Sequence, residues 1–504
     1  MTDRNYGNVQ VPRKARTMGL SYASVGLLLV GGVVTFLLMQ FGVPIYYAII
    51  ALAVGVLATW FVESGRRNGR TRVERAIGNH KQRQARKRGA TTYISGPTSG
   101  LPDGSYRAPG LLAATEMHEG VDHLGRSFAF LWDASKSTGT VFFTASAAGR
   151  NLQDQSVIDY LVAGWGGYLQ QTGSLASMQQ VSVTVTSMRD AGERLPAAIA
   201  DLRRRANRES VSPAATSGVN EIIAATNAGL GRVEARVAVT FSAAADKDFG
   251  LEARSSDELM GEVVVHLPAM LEQLELSGGG TVEYLTARDM IDSTYVAYNP
   301  AAAVAVERAR LSGTGTGLSW EEVGPSYARA FPDRYEHGGG TSMSFQVWRA
   351  PAGVFRENSL EAILMPDGLS ELKRVTLLYR PLSPELSQAR VEAAVTDADY
   401  ETNQKGRKAT GAQLASSSRV KKTEAEIAQG ATLVRFSIII TATVLDPDVL
   451  RRVPSMVRNA CQNGVQLSVR AAEGNEDAAF AIGLGLGVVP AKWATLSPAL
   501  REAL

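Results

Sequence analysis

No charged residue lies between Arg16 and Glu63. A membrane-spanning helix needs about 20 apolar residues, so this run is too long for one. Pro44, in Phe41-Gly42-Val43-Pro44, divides it into two segments, 19–40 and 45–62. So short a turn makes the two helices antiparallel neighbours. The sequence therefore predicts a short tail over 1–16 and a two-helix transmembrane hairpin over 17–63. Trp60, Tyr46 and Tyr47 are placed as interfacial anchors. Ala51, Gly55 and Thr59 recur every four residues, a small-residue stripe suited to helix packing.

Net charge is only +3, yet it is split unevenly. Residues 1–90 hold 14 Lys and Arg against 3 Asp and Glu, and the remainder has an acidic excess of 8. Much of the basic charge follows the second segment, beginning with Arg66, Arg67, Arg70 and Arg72. Positive flanks on both sides of a hairpin predict an inner-membrane protein with both termini cytoplasmic. The four arginines are candidates for holding lipid head groups. No aromatic residues are interleaved with them, and the body is acidic, so direct nucleic-acid binding is not expected. The single cysteine, Cys461, has no internal partner, which fits a reducing compartment.

Residues 64–108 read as a basic juxtamembrane segment passing into a Gly-, Ser- and Pro-rich linker. Beyond it, strands and helices alternate. Strands are expected over 127–132 and 138–145. Val157, Leu161, Trp165 and Tyr168 have helical spacing. Val181, Val183 and Val185 alternate with polar residues, as do Val233, Ala235, Val237, Val239 and Phe241. Ser255 with Glu258 forms a capping box ahead of Leu259, Val263 and Leu267. A first α/β domain is drawn over 109–300. A second, over 301–504, has strands near 342–348, 374–379, 433–444 and 465–469. Its polar segment 385–430 reads as a solvent-facing helical arm broken around 403–411, a lid or docking element. The fold class is α+β: a helical hairpin followed by a two-domain body of mixed sheets and helices.

The motifs that carry chemistry are missing from the sequence. A Walker loop requires G-x-x-x-x-G-K-[ST], and none occurs. Gly313, Gly315 and Gly317, like Gly483, Gly485 and Gly487, are followed by no such lysine and read as turns. The five histidines, His80, His118, His123, His266 and His337, form no metal-binding spacing. No G-x-S-x-G elbow is present. No catalytic, cofactor-binding or metal-binding residue is assigned, and the chain is not read as an enzyme.

Several short motifs occur in a recognisable order. They include Tyr6-Gly7-Asn8, Pro109-Gly110-Leu111-Leu112, Gly125-Arg126-Ser127-Phe128 and Tyr298-Asn299-Pro300. Trp320-Glu321-Glu322-Val323-Gly324-Pro325, Arg374-Val375-Thr376-Leu377-Leu378-Tyr379-Arg380-Pro381 and the tail from Ala479-Phe480 to Pro490 follow. In these the chain resembles a family of actinobacterial membrane proteins found with conjugative elements. That family is similar to a fusion of the two-helix VirB-type inner-membrane subunit with the N-terminal, non-ATPase half of the type IV secretion conjugation ATPase. The resemblance implies a membrane-anchored scaffold, oligomeric with other secretion subunits, that docks a separate ATPase chain. It implies no catalytic residue. In the fused relative the motor follows the segment similar to 478–490, so Phe480, Val488, Val489 and Trp493 are the expected docking anchors. The rival readings are a membrane-bound enzyme whose site is assembled from distant residues, and a DNA-handling conjugation accessory protein.

Overall fold

A computed structural model describes residues 16–493, apart from 18–19, 43, 64–71, 98, 101–103, 147–152, 190–193, 206–211, 226–230, 247–249, 314, 350–358, 403–410 and 464–465. A two-residue pair, β1 (Arg16–Thr17) with β2 (Leu20–Ser21), precedes the helices α1 (Tyr22–Gln40) and α2 (Ile45–Glu63). The hairpin forms, with Gly31 and Gly55 in contact where the two helices cross. Ala51 is half-buried, and Gly55 and Thr59 are buried, so the small-residue stripe faces α1. Thr59 donates its hydroxyl to the Gly55 carbonyl at 2.8 Å.

Among the described residues no helix is long and apolar enough to cross a membrane. Each hairpin helix has 19 residues, a rise of about 28 Å, against about 30 Å of hydrocarbon. Polar residues at the ends, Tyr22 and Gln40 in α1 and Glu63 in α2, shorten the apolar part further. The expected transmembrane hairpin, the inner-membrane localisation and the topology built on it are corrected accordingly. What stands is a helical hairpin whose outward side chains, among them Leu29, Phe36, Ile49 and Trp60, are exposed. Arg72 opens α3 (Arg72–Lys87) and lies over the Phe61 ring at 5.1 Å. Arg66, Arg67 and Arg70 lie outside the described residues.

The body is built on a single antiparallel sheet of 13 strands. In its first half are β4 (Thr115–Val121), β5 (Ser127–Asp133), β6 (Thr138–Ser146), β7 (Met178–Arg189), β8 (Gly231–Ser242) and β9 (Thr281–Tyr284). Its second half holds β10 (Tyr327–Ala330), β11 (Tyr335–His337), β12 (Gly340–Arg349), β13 (Leu372–Pro381), β14 (Val434–Val444) and β15 (Ser468–Ala471). One further strand, β3 (Thr92–Ile94), pairs with β10 at that edge.

The second half repeats the first. Read inward from one edge the order is β4, β5, β6, β8, β7; from the other, inside β3, it is β10, β11, β12, β14, β13. Outside these paths β9 pairs with β6, and β15 with β12. The helices follow suit. Helix α4 (Gln155–Gly173) precedes β7 as α10 (Glu361–Leu364) precedes β13. The pair α5 (Arg194–Arg205) and α6 (Pro213–Ala225) leads into β8, as α11 (Pro384–Thr402) and α12 (Gly411–Ala428) lead into β14. After these come α7 (Ser256–Leu274) and α13 (Val453–Asn463), then α8 (Ala287–Tyr298) and α14 (Glu476–Gly483). Only α9 (Ala303–Leu311), between the halves, has no counterpart among the described residues.

Register supports the correspondence. Phe143 faces Val237 and Tyr284 as Phe345 faces Ile440 and Ala471. Helix α7 buries Leu259, Val263 and Leu267, and α13 buries Val453, Val457 and Cys461 at the same spacing of four. The halves meet where β7 pairs with β13, and their local dyad passes through the Thr184–Thr376 pair. The two expected domains thus share one continuous hydrogen-bonded sheet.

One face of the sheet is covered by α4 and α7 in the first half and by α13 with α10 in the second, over Phe130, Val239, Phe345 and Ile440. The other face carries α8, α14 and the segment after α14, over Leu131, Phe142 and Tyr335. The capping box at Ser255 is formed: Glu258 N donates to Ser255 Oγ at 3.3 Å, and Ser255 N to Glu258 Oε2 at 2.8 Å.

Candidate functional site: a glycine strap over a polar seam

Strand alternation sends residues 372, 374, 376 and 378 of β13 to the face that carries α8 and α14. On that face, around the dyad, the floor is hydroxylic rather than apolar. Thr184 Oγ1 and Thr376 Oγ1 are 3.2 Å apart on the dyad itself. On one side Thr140 and Thr240 are in contact at 3.1 Å; on the other, Ser342 and Thr443 at the corresponding positions meet at 2.8 Å. Ser344 and Thr441 add a contact at 3.1 Å. All eight of these residues are buried.

A polar floor needs polar cover, because an unpaired buried hydroxyl costs about 1–3 kcal/mol. The chain after α14 supplies it with main-chain carbonyls. Thr376 donates to the Gly483 carbonyl at 2.9 Å, and Arg236 donates to that of Leu484. Thr240 donates to the Gly487 carbonyl at 3.4 Å, and Gln180 to that of Val488 at 3.2 Å. This strap crosses from the second half to the first. Its last described residue is Trp493, whose ring holds the Lys136 ammonium at 4.0 Å. Glycine at 485 and 487 is required twice over. Both have positive φ, +66° and +79°, and a Cβ would overlap Thr184 Oγ1 or Thr140 Oγ1. The glycine cluster is structural, as its sequence suggested, but it is a close-packed strap and not a surface turn.

This placement corrects the expected docking anchors. Phe480, Val488 and Val489 are buried, and Phe480 and Val488 belong to the core cluster beneath the strap. Trp493 is half-buried against the same cluster. Phe480, Val488 and Val489 are therefore packed inside the body, and of the four only Trp493 keeps part of its surface open.

The strap region also gathers charged groups that sequence reasoning passed over. Arg374 is 3% exposed, and none of its guanidinium nitrogens has a hydrogen-bond partner. The Phe480 ring lies 4.7 Å from it. Burial, and then the nearby Arg236 guanidinium, pull its pKa down to about 9. Arg236, lowered by burial to about 10, also reaches Ser293 Oγ at 3.3 Å. Glu476 accepts Ser344 N at 2.8 Å, and burial raises its carboxyl to about 8. His337 lies in a ring of Tyr298, Tyr335 and Phe480. Its Nδ1 is 2.7 Å from the Tyr298 carbonyl and its Nε2 2.7 Å from Ser342 Oγ.

The His337–Ser342 contact has the form of a base beside a hydroxyl nucleophile. It lacks the properties. Burial depresses His337 to about 3, and Ser342 is 0% exposed. No group of three or more potential metal ligands occurs among the described residues. His118, half-buried, lies 3.8 Å from the exposed Glu116 carboxylate, with no third ligand beside them among the described residues. The sequence signal for Arg374 was a charged residue, beside Lys373, at the start of a strand that continues through Val375, Leu377 and Leu378. Nothing local marked Arg236 as its neighbour.

No protein-family model matches the chain, and no curated protein matches it.

Proposed function

We propose that the chain is a docking scaffold of a conjugative, type IV-like secretion machine, and that it engages a separate motor ATPase through the arm formed by α11 and α12. The ordered motifs from Tyr6 to Pro490 support the class. The arm's construction supports the docking role. Its helices pack on each other through Val391, Ala398 and Val420, while Leu386, Tyr400 and Leu414 are exposed. Its base is closed by the sheet: Leu382 N donates to the Leu433 carbonyl at 2.8 Å, directly beyond the Pro381–Val434 pair. The arm therefore lies outside the sheet's own ladder, tied to it where Ser387 Oγ accepts Leu433 N at 3.1 Å, and such an appendage carrying exposed apolar side chains suits recognition. A stable complex requires about 1,000 Å² of interface or more, which two helices of this length supply.

The closed base makes the test clean. Residues 384–431 are replaced by an Asn-Gly turn, which joins antiparallel strands directly. The expected result is a body that folds as before and no longer copurifies with its ATPase from the native host. An armless body that retains the ATPase at full yield refutes docking through the arm. The enzyme reading is less favoured, because the titratable groups brought together from distant positions are sealed beneath the strap.

A further inference from the structure

We propose that Arg236 and Arg374 form a closed site for a small oxyanion of the phosphate type, beneath the strap and beside the dyad. The register brings the two side chains together. Arg236 pairs across strands with Thr184, and Thr184 with Thr376, so the arginines stand on strands separated only by β7. That separation is about 10 Å between backbones, within reach of two converging arginines. Both turn towards α8 and α14: Arg236 to Ser293 and the Leu484 carbonyl, Arg374 to the Phe480 ring.

The charge balance is what demands a ligand. Among the described residues no carboxylate makes a hydrogen bond or ion pair to Arg374, and its Nε and both terminal nitrogens are unpartnered. Arg236 Nε is unpartnered as well. A ring face attracts a guanidinium but accepts none of its in-plane hydrogen bonds. Two adjacent buried cations repel, and a buried charge without a counter-ion is strongly unfavourable. An oxyanion resolves both difficulties, since its oxygens match the guanidinium fork and its charge offsets the pair. Glu476 does not serve: its Oε2 accepts Ser344 N, its Oε1 has no partner and so makes no bond to either arginine, and its raised pKa keeps it largely protonated at neutral pH. Enclosure by Phe480 and the strap favours a free anion over a phosphate attached to a larger body.

The test titrates inorganic phosphate into the purified full-length chain at constant ionic strength, read by calorimetry and thermal unfolding. The expected result is saturable binding of one phosphate, with Tm rising about 2–4 °C near saturation. Arg374→Met, which keeps length and loses charge, should abolish the response. Its Tm in chloride should equal or exceed that of the parent, because the substitution removes an uncompensated buried charge. Arg374→Lys, which keeps the charge but not the fork, should weaken binding by about tenfold. A parent chain that shows no saturable response, or either variant responding as the parent does, overturns the site. The parent titration decides the matter even if Arg374→Met fails to fold.

Discussion

Replacing Gly485 by alanine tests the strap at the dyad. Two costs arise, and they can be separated. The φ of +66° costs an L-residue about 1–2 kcal/mol. The new methyl group overlaps Thr184 Oγ1, so the strap must lift or Thr184 must turn. Overpacking of this kind costs about 1–3 kcal/mol. Lifting the strap also weakens the bond from Thr376 to the Gly483 carbonyl, 2.9 Å in the intact protein. The expected loss is about 2–5 kcal/mol, measured by urea unfolding with near-UV circular dichroism as the readout. Gly313→Ala is the control: its φ is +77°, but nothing lies within 4 Å of the added carbon, so only the first cost applies. Thr184→Ala removes the overlapping hydroxyl. In a double-mutant cycle it should recover about 1–3 kcal/mol of the Gly485→Ala penalty and leave the backbone part. A Gly485→Ala variant no less stable than the Gly313→Ala control, or a cycle with no coupling, would refute a strap seated on Thr184.

Other outcomes follow from the same region. Glu476, raised to about 8, binds a proton more tightly folded than unfolded, so its contribution is lost as pH rises from about 4.5 to 8. His337, depressed to about 3, works the other way: its contribution is lost as pH falls from about 6.5 to 3. The two slopes oppose each other between about pH 4.5 and 6.5. Glu476→Gln should remove one, so its stability relative to the parent rises with pH by up to about 1.4 kcal/mol per unit; denaturant midpoints across pH 4 to 8 with no such trend would contradict the burial of that carboxyl. Cys461, 1% exposed with its thiol pushed up to about 12, should resist a disulfide reagent at pH 8 until the chain unfolds; rapid labelling of the native protein would place α13 wrongly. Leu259→Ala, at a side chain with 0% exposure, should cost about 2–5 kcal/mol in chemical unfolding, and a neutral result would deny α7 its place on the sheet.

Much of the body was legible residue by residue. The alternating valines of β7 and β8, the capping box before α7 and the broken polar helix over 385–430 are local signals, and each names its element within a few residues. They are legible because helix and strand periods are set by backbone geometry alone. The hairpin's pairing was legible too, from Pro44 and the stripe through Gly55. Its reading as a membrane span did not hold, since among the described residues no helix is both long and apolar enough to cross a membrane.

What stayed hidden depends on which distant strands become neighbours. The repeat of one half in the other leaves little trace in residue identity: Phe142 corresponds to Ser344, and Leu267 to Cys461. A fold conserves the pattern of burial and pairing, and many side chains of suitable size satisfy it. The pairing of β7 with β13 could not be read from either strand, because backbone hydrogen bonds define a strand edge and any complementary edge satisfies them. That pairing merges the two expected domains into one sheet, and it sets Thr184 on Thr376 at the dyad. It also explains why Phe480 and Val488 are core: the polar seam it creates has to be covered, and the strap that covers it is the segment expected to face a partner. Arg374 shows the division most directly. The sequence by itself put a charge on one face of a strand; only tertiary structure decided that this face is buried, that Arg236 shares it, and that among the described residues no carboxylate pairs with Arg374.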